Sequence, residues 1–234
     1  ATVCPGGQVG GEEAGLRRVV ALGQQGHGLA QGAEVVLGVA AWWLLDPGAG
    51  DDGSGSAADA GTADAPADLD RLVVAPEGGE EGYDRELFEH WVDADGDGCD
   101  TRCEVLEEER RTDLAGLPDG GWLSLYDGYT TDDPGELDID HVVPLAEAWR
   151  SGASDWDAER REAFANDLDD PRALVAVTAA TNRAKGDRDP AEWQPPARGA
   201  WCWYGEAWVA TKLRWGLTAD QAEVDALRNM LAGC

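Results

Sequence analysis

The sequence predicts an α+β domain that is mostly helical and contains one small β-hairpin. Two short segments rich in β-branched and apolar residues, 138–143 (DIDHVV) and 173–177 (ALVAV), have the composition of strands. Helical patterns surround them, and residues 203–215 and 218–231 form two further helical stretches at the chain end. The 234 residues are 43% hydrophobic, which supports a folded core and excludes a wholly disordered chain.

Capping residues and turn-rich segments mark the remaining elements. Ser154 and Asp157 are suited to start a helix that runs to about Asn166, and Thr178 is suited to cap a helix through Asn182. Thr218, with Gln221 three residues later, is expected to cap the last helix. Further predictions are helices over residues 83–92 and 103–113 and a short strand over residues 122–126.

The first 81 residues are predicted to lie outside the folded domain. An apolar run at residues 33–45 follows Arg17 and Arg18 and suits a signal-peptide core or a weak membrane anchor, so residues 1–45 are assigned as a signal- or anchor-like segment that contacts a membrane. Residues 46–81 are rich in Gly, Ala, Asp, Ser and Pro and are assigned as a flexible acidic linker. The folded domain is assigned to residues 82–234.

The formal net charge is −29, with 47 acidic and 18 basic residues. Such a chain does not bind nucleic acid through a broad basic face. Basic residues nevertheless cluster locally, since Arg183, Lys185 and Arg188 lie within six positions. An anionic substrate is therefore expected to bind at this cluster, while the acidic excess elsewhere is a solvated surface.

The cysteines favour an exported protein. Cys202 and Cys234 flank the helical C-terminal region and are expected to form a disulfide. The five cysteines do not form paired CxxC motifs, so a zinc ribbon is disfavoured. Cys4 is left over and is expected to lie outside the mature domain.

An acidic segment matches the calcium-loop pattern D-x-D-x-D-G-x5-E. Its residues are Asp93, Asp95, Asp97, Gly98 and Glu104. Asp100 departs from the pattern because such loops usually carry an apolar residue at that position. Two interpretations remain open: a structural Ca²⁺ site, or an acidic turn between helices.

The motif with the most chemical content is strand, loop, strand, helix. His141 follows Asp140 at the end of the first strand, and Asn182 lies on the helix after the second. A neutral histidine can remove a proton from water, and carboxylate and amide oxygens are ligands for Mg²⁺ or Mn²⁺. These are components of a site that hydrolyses phosphodiesters.

In these residues the chain resembles the HNH family of metal-dependent nucleases, which have a ββα-metal fold. The branch it resembles most is exported, actinobacterial and related to the C-terminal domain of GmrSD-type restriction enzymes. The similarity covers about residues 82–234. The motifs that carry it are GYDRELF, GCDTRCEVL, DIDHVVPLAEAWRSGA, FANDL and NRAKGDRDPAEWQPP, with Cys202, Tyr204, Lys212 and Trp215 beyond them.

The resemblance implies a mostly helical domain built around an HNH hairpin–helix core. It implies that His141 is the general base and that Asp140 and Asn182 hold one catalytic Mg²⁺ or Mn²⁺. This assignment requires the strand to be broken at Asp140, because neighbouring strand residues otherwise face opposite sides. Lys185 lies one helical turn after Asn182 and is expected to contact the phosphate, with Arg183 and Arg188 as further substrate-binding residues.

Further residues are assigned by comparison with the family pattern. Arg102 and Asn166 are counted as catalytic residues together with His141 and Lys185. Arg102 belongs to the upstream motif and is expected to buttress the catalytic domain. Asn166 is a candidate for the asparagine that braces the loop in relatives, with a structural role at a helix end as the alternative. Relatives carry a cysteine shortly before the segment around Trp122, whereas this chain has Cys103 instead, so a rearranged Cys99–Cys103 bridge is expected.

The leading functional prediction is an exported, monomeric HNH endonuclease. It would hydrolyse nucleic acid, with DNA as the expected substrate, be secreted or tethered to a membrane, and have no stable protein partner. The competing prediction is a non-catalytic calcium-binding module of the cell envelope. A serine hydrolase is disfavoured because the sequence contains no G-x-S-x-G motif.

Overall fold

The computed structural model describes residues 68–234. The predicted signal or anchor segment, residues 46–67 of the predicted linker and Cys4 lie outside the described residues. In chain order, the helices and strands are α1 (Thr101–Glu108), β1 (Trp122–Leu123), β2 (Thr130–Thr131), β3 (Leu137–His141), α2 (Leu145–Arg150), α3 (Ala158–Ala165), β4 (Leu174–Thr178), α4 (Ala179–Lys185), α5 (Trp201–Trp215) and α6 (Gln221–Leu231). This content confirms a mostly helical α+β domain.

The antiparallel pair β3–β4 positions the candidate site. Its register pairs Asp140 with Val175 and His141 with Leu174. Because β3 remains paired through His141, the expected break at Asp140 is wrong, and the two side chains leave opposite faces of the strand. The chain between the strands carries α2 and α3, so the pair is not a tight hairpin. α4 begins directly after β4 with Thr178 as its N-cap, as predicted.

The two C-terminal helices enclose the main hydrophobic core. Tyr204 and Trp208 on α5 are fully buried. Gly205 allows α5 to approach α6 closely, because a Cβ at this position would lie 3.0 Å from Leu231. The predicted Cys202–Cys234 disulfide is present and ties the chain end to α5.

A buried ionic cluster joins three helices beneath this core. The ammonium of Lys212 on α5 donates to Glu147 on α2 at 2.8 Å and to Glu223 on α6 at 2.7 Å, and all three side chains are fully buried. Removing one member would leave an uncompensated buried charge, which destabilises a fold strongly. The cluster therefore fixes how α2, α5 and α6 meet.

Residues 68–81 pack on the folded unit, which corrects the predicted end of the linker. Leu69 and Leu72 are buried in the main core. The Ala75 amide donates to the Ala219 carbonyl at 2.9 Å, and the Gly78 amide donates to the Arg150 carbonyl at 2.7 Å. The sequence did not indicate that Leu69 and Leu72 are buried, because two isolated leucines in a Gly- and Asp-rich segment form no helical or strand periodicity.

The helix predicted over residues 83–92 is wrong. The structure has a single 3₁₀ turn at Arg85–Leu87, and Trp91 adopts the left-handed conformation with φ of 65°. Phe88 is fully buried whereas Leu87 is exposed, so the segment does not use one continuous helical face. A bend at Trp91 replaces the predicted helix end.

Several element ends also differ from the sequence prediction. The last helix is capped by Asp220 in a capping box with Glu223, and not by Thr218 and Gln221. The helix predicted over residues 103–113 ends at Glu108, and α2 was not predicted. The expected strand at residues 122–126 shortens to β1 and pairs with β2.

Candidate active site

A cleft of about 270 Å³ opens where β3 ends beside α4. It brings together the sequence-predicted residues Asp140, His141, Asn182 and Arg183. Polar groups that the sequence did not single out also line it, among them Tyr83, Arg85 and Asp187. Four other predicted site residues, all within the described part of the chain, do not line the cleft: Lys185, Arg188, Arg102 and Asn166.

His141 is held as a neutral ring with a fixed orientation. His141 is buried, with only 5% of the residue exposed, and Nε2 lies 2.9 Å from the Ala165 carbonyl oxygen. A carbonyl only accepts hydrogen bonds, so Nε2 carries the proton and Nδ1 keeps its lone pair. Burial lowers the pKa of His141 to about 3, which leaves the ring neutral at physiological pH. This is the protonation state that a general base requires.

Asp140 faces α4 and is bound by a buried cation. Its carboxylate accepts from the Lys185 ammonium at 2.9 and 2.7 Å and from the Tyr126 hydroxyl at 2.7 Å. Burial raises the pKa of Asp140 and lowers that of Lys185, while the contact between them opposes both shifts. Burial also raises the pKa of Tyr126 well above its usual value, so its hydroxyl stays a donor.

The predicted contact between Lys185 and a substrate phosphate is therefore wrong. Lys185 is fully buried, and its third hydrogen bond goes to the His141 carbonyl at 2.9 Å. An ammonium has three donors, and all of them are used inside the protein. The i, i+3 spacing from Asn182 does place both side chains on one face of α4, but that face packs against β3.

The donor set at the cleft fits a small, hard divalent cation. Asn182 donates through Nδ2 to Asp138 at 3.2 Å, which leaves its amide oxygen available as a ligand. Asp140 Oδ1 accepts only the Lys185 bond, so it retains a lone pair. Such an ion would share the Asp140 carboxylate with Lys185 and would be held by oxygen atoms alone, as Mg²⁺ and Mn²⁺ prefer.

Two arginines at the cleft have guanidinium groups without a hydrogen-bond or ion-pair partner. The side chains of Arg85 and Arg183 are exposed and, alone among those of the lysines and arginines of residues 68–234, have no hydrogen bond, ion pair or aromatic contact. Both line the cleft beside His141. Arg188 instead donates to the Lys185 carbonyl at 3.0 Å. The sequence alone does not indicate a role for Arg85, because Arg85 lies 56 residues before His141 in a segment with a helical pattern.

Comparison with known proteins identifies the family. Residues 98–230 match the family described as GmrSD restriction endonucleases, C-terminal domain. The chain belongs to this family. An "uncharacterized secreted protein" of the fungus Arthroderma benhamiae is 42% identical over 170 residues, which cover 71% of this chain and 82% of the relative. No solved structure matches the chain.

Membership of the GmrSD C-terminal domain family indicates a nuclease-like function, as the resemblance in the HNH motifs implied. The matched region contains the whole strand–strand–helix unit with Asp140, His141 and Asn182. The relative is fungal, so it supports the family and gives no support to the actinobacterial branch.

In this member of the GmrSD C-terminal domain family, Arg102 and Asn166 act on the scaffold. Arg102 donates to the carbonyls of Pro134 and Leu137, at 3.2 and 2.9 Å, and so supports the start of β3, as expected for a buttress. Asn166 ends α3 and accepts from the Val92 amide at 3.1 Å and from the Thr101 hydroxyl at 2.8 Å. It therefore braces a loop, and it also occupies a helix end.

The acidic segment forms a compact exposed loop in front of α1. Oxygen atoms of Asp93, Asp95 and Asp97 lie within 4.8 Å of one another. Asp93 accepts backbone amides of Gly96 and Gly98 at 2.9 and 3.0 Å. The expected Cys99–Cys103 disulfide is present and joins the end of the loop to α1.

Among residues 68–234, no helix combines the length and hydrophobicity needed to span a membrane.

Proposed function

We propose that this protein is an exported endonuclease of HNH type that hydrolyses phosphodiester bonds of nucleic acid with a divalent metal ion. The observation that carries the proposal is the state of His141, which lines the cleft and whose Nε2–H is fixed on the Ala165 carbonyl, so that Nδ1 is the nitrogen left to accept a proton. Membership of a restriction-endonuclease domain family supports the same reaction.

In the proposed reaction His141 Nδ1 accepts a proton from the attacking water. Asp140 and Asn182 would hold one Mg²⁺ or Mn²⁺, which supplies charge stabilisation at the phosphate and the leaving oxygen. Lys185 and Tyr126 fix the carboxylate of Asp140 through their hydrogen bonds and do not touch the substrate. β3 and α4 carry these groups, so the site is preorganised by regular structure.

Arg85 and Arg183 are the proposed phosphate contacts. The protein carries a net charge of −29, so approach of a polyanion is unfavourable over most of its surface. Two arginines without internal partners at the cleft provide local positive charge where the phosphate must lie. DNA is the proposed substrate, and the protein is proposed to act as a monomer.

Export is supported by two observations. Residues 68–234 contain two disulfides, and such bonds persist in oxidising compartments. The fungal relative carries the name of a secreted protein. The proposed location is therefore extracellular.

A structural calcium site is a second candidate function for the acidic loop. Its support is the convergence of the Asp93, Asp95 and Asp97 carboxylates in a loop that matches the calcium-binding pattern. Burial raises the pKa of Glu104 on α1, and the negative charges of Asp95 and Asp97 raise it further, so Glu104 lies near these carboxylates. A module that only bound calcium would have no use for the neutral His141 at the cleft.

The function is tested by incubating the full chain with supercoiled plasmid in Mg²⁺, Mn²⁺ or EDTA. Cleavage that requires the metal, and that His141→Ala lowers by about 10²–10⁴-fold, is expected. Arg111→Ala is the matched control, because Arg111 is exposed, paired with Asp113 and outside the cleft lining. Failure of the wild type to cut any nucleic acid with either metal would overturn the proposal.

A further inference from the structure

Trp91 has a backbone conformation that its side chain disfavours. It is the only residue other than glycine with positive φ among residues 68–234, at 65°. This left-handed region is sterically unfavourable for bulky residues. Such a conformation persists only where surrounding contacts enforce it, and strained residues concentrate at functional sites.

Two side chains, Asn166 and Thr101, hold the segment around Trp91. Asn166 Oδ1 accepts from the Val92 amide at 3.1 Å, and Asn166 Nδ2 donates to the Glu89 carbonyl at 2.8 Å. These two bonds clamp the chain on both sides of Trp91. The Thr101 hydroxyl adds a bond to the Val92 carbonyl at 3.0 Å.

The result of this clamp is that the indole of Trp91 packs against the His141 imidazole. The ring centroids are 5.7 Å apart and the rings are inclined by 31°. Phe164 lies nearly parallel to the same imidazole, at 6.5 Å and 17°. The His90 ring lies 6.5 Å away at 79°. The imidazole is thus bounded by three aromatic rings and fixed by one hydrogen bond.

Three consecutive residues at the end of α3 act together on His141. Phe164 contacts the imidazole ring, Ala165 accepts its Nε2–H, and Asn166 holds the strained segment that carries Trp91. Trp91 also packs against a second, smaller cluster of buried apolar side chains. Its contact with the imidazole is the one that places the strained residue at the candidate active site.

We propose that Trp91 is a positioning residue for His141, held in a strained conformation by Asn166 so that the imidazole keeps one orientation. This inference rests on the proposed function, in which His141 is the general base. Trp91 contacts the base and not the reacting atoms, so its removal should lower kcat and leave KM nearly unchanged.

The test compares Trp91→Ala, Trp91→Gly and Trp91→Phe in the full chain. All three are assayed for plasmid cleavage at saturating Mn²⁺ and for thermal unfolding. We expect the Ala and Gly variants to lose about tenfold or more in kcat, since small displacements of a catalytic group are costly. The Phe variant keeps a ring and should retain more activity. The Gly variant should unfold at a higher temperature than the Ala variant, because glycine tolerates positive φ.

Trp156→Ala is the matched control. Trp156 is a half-buried tryptophan that contacts Phe164, with ring centroids 5.6 Å apart, but does not contact His141. This variant should lose stability and keep kcat. Equal kcat losses at Trp91 and Trp156 would overturn the proposal, as would a Trp91→Ala variant within twofold of wild-type kcat.

A second readout needs neither substrate nor metal. In ¹⁵N-labelled protein the His141 imidazole should show a single Nε2–H tautomer with a slowly exchanging proton. Trp91→Ala should give mixed tautomers or faster exchange, and an unchanged signal would overturn the proposal. If the wild type shows no cleavage, the proposed function fails, while this readout still decides whether Trp91 orders the imidazole.

Discussion

Lys185 donates its buried ammonium to both carboxylate oxygens of Asp140, at 2.9 and 2.7 Å. The pair joins α4 to β3 at the base of the cleft. Because Lys185 also donates to the His141 carbonyl, a single cation fixes the side chain of Asp140 and the backbone of His141. Lys185 is therefore part of the scaffold of the site.

Replacing Lys185 should destabilise the fold. Lys185→Met leaves the Asp140 carboxylate buried without its cation, and loss of one partner of a buried pair costs about 3–5 kcal/mol. The free energy of unfolding, measured with urea, checks this. Combining it with Asp140→Asn removes both charges, so the double variant should be more stable than Lys185→Met alone. A Lys185→Met variant of wild-type stability with weakened nucleic-acid binding would restore the phosphate-contact interpretation.

Replacing Arg85 or Arg183 should weaken nucleic-acid binding and leave stability unchanged. Each variant to Ala removes one exposed charge at the cleft, so the slope of log K against log salt should fall by about 1. Binding is measured in EDTA, so that the substrate remains intact. Arg111→Ala changes the net charge equally, away from the cleft, and should leave the slope unchanged. Equal effects of all three variants would show a general charge effect instead of a phosphate site.

Deprotonation of the buried Glu109 carboxyl should lower the stability of the fold as the pH rises. Its carboxylate accepts from the Ala176 amide on β4, and burial raises its pKa from 4.5 to about 7. Proton binding to the folded state therefore stabilises it fully below about pH 4.5, and this contribution is lost as the pH rises to about 7. Glu109→Gln removes the titration, which is worth at most about 3 kcal/mol.

Urea unfolding of both proteins at pH 5 and pH 8 measures this effect. Burial also raises the pKa values of Glu77 and Glu223 to about 7, so the variant keeps part of the decline. The relevant quantity is the difference between the two proteins. Parallel pH dependences would contradict the assignment to Glu109.

The acidic loop should bind one Ca²⁺ per chain if it is a structural metal site. Calorimetry at millimolar calcium should detect this site in the wild type, and Asp95→Ala or Glu104→Gln should abolish it because each removes an expected ligand. Metal-dependent cleavage should persist in both variants. Asp132→Asn, at an exposed position outside the loop, is the control. Absence of calcium binding in the wild type would identify the loop as an acidic turn.

Removing the Cys202–Cys234 disulfide should destabilise the domain. The bridge closes a span with a sequence separation of 32, for which the chain-entropy model gives about 3–4 kcal/mol. The double variant Cys202→Ser/Cys234→Ser should show this loss in urea unfolding. Peptide mapping of the unreduced wild type should find the two cysteines joined, and free thiols at both positions would contradict the pairing.

The sequence was sufficient for features that depend on neighbouring residues. The β-branched runs around Ile139 and Val175 predicted the two central strands, and Thr178 predicted the start of α4. Asp140, His141 and Asn182 could be identified as candidate site residues because they lie on the first of these strands and on α4, which follows the second strand. The Cys202–Cys234 pair followed from its position around the C-terminal helices.

Only the tertiary structure decided which partner each side chain meets. Spacing placed Lys185 on the face of α4 that carries Asn182, but burial of that face against β3 turned a predicted phosphate contact into an ion pair. Arg85 and Trp91 reach the site from a segment at least 50 residues before His141 in sequence, and Asn166 holds the bend in that segment. Periodicity reports which residues share a face within an element, whereas the partners of that face depend on long-range packing, which local patterns do not encode.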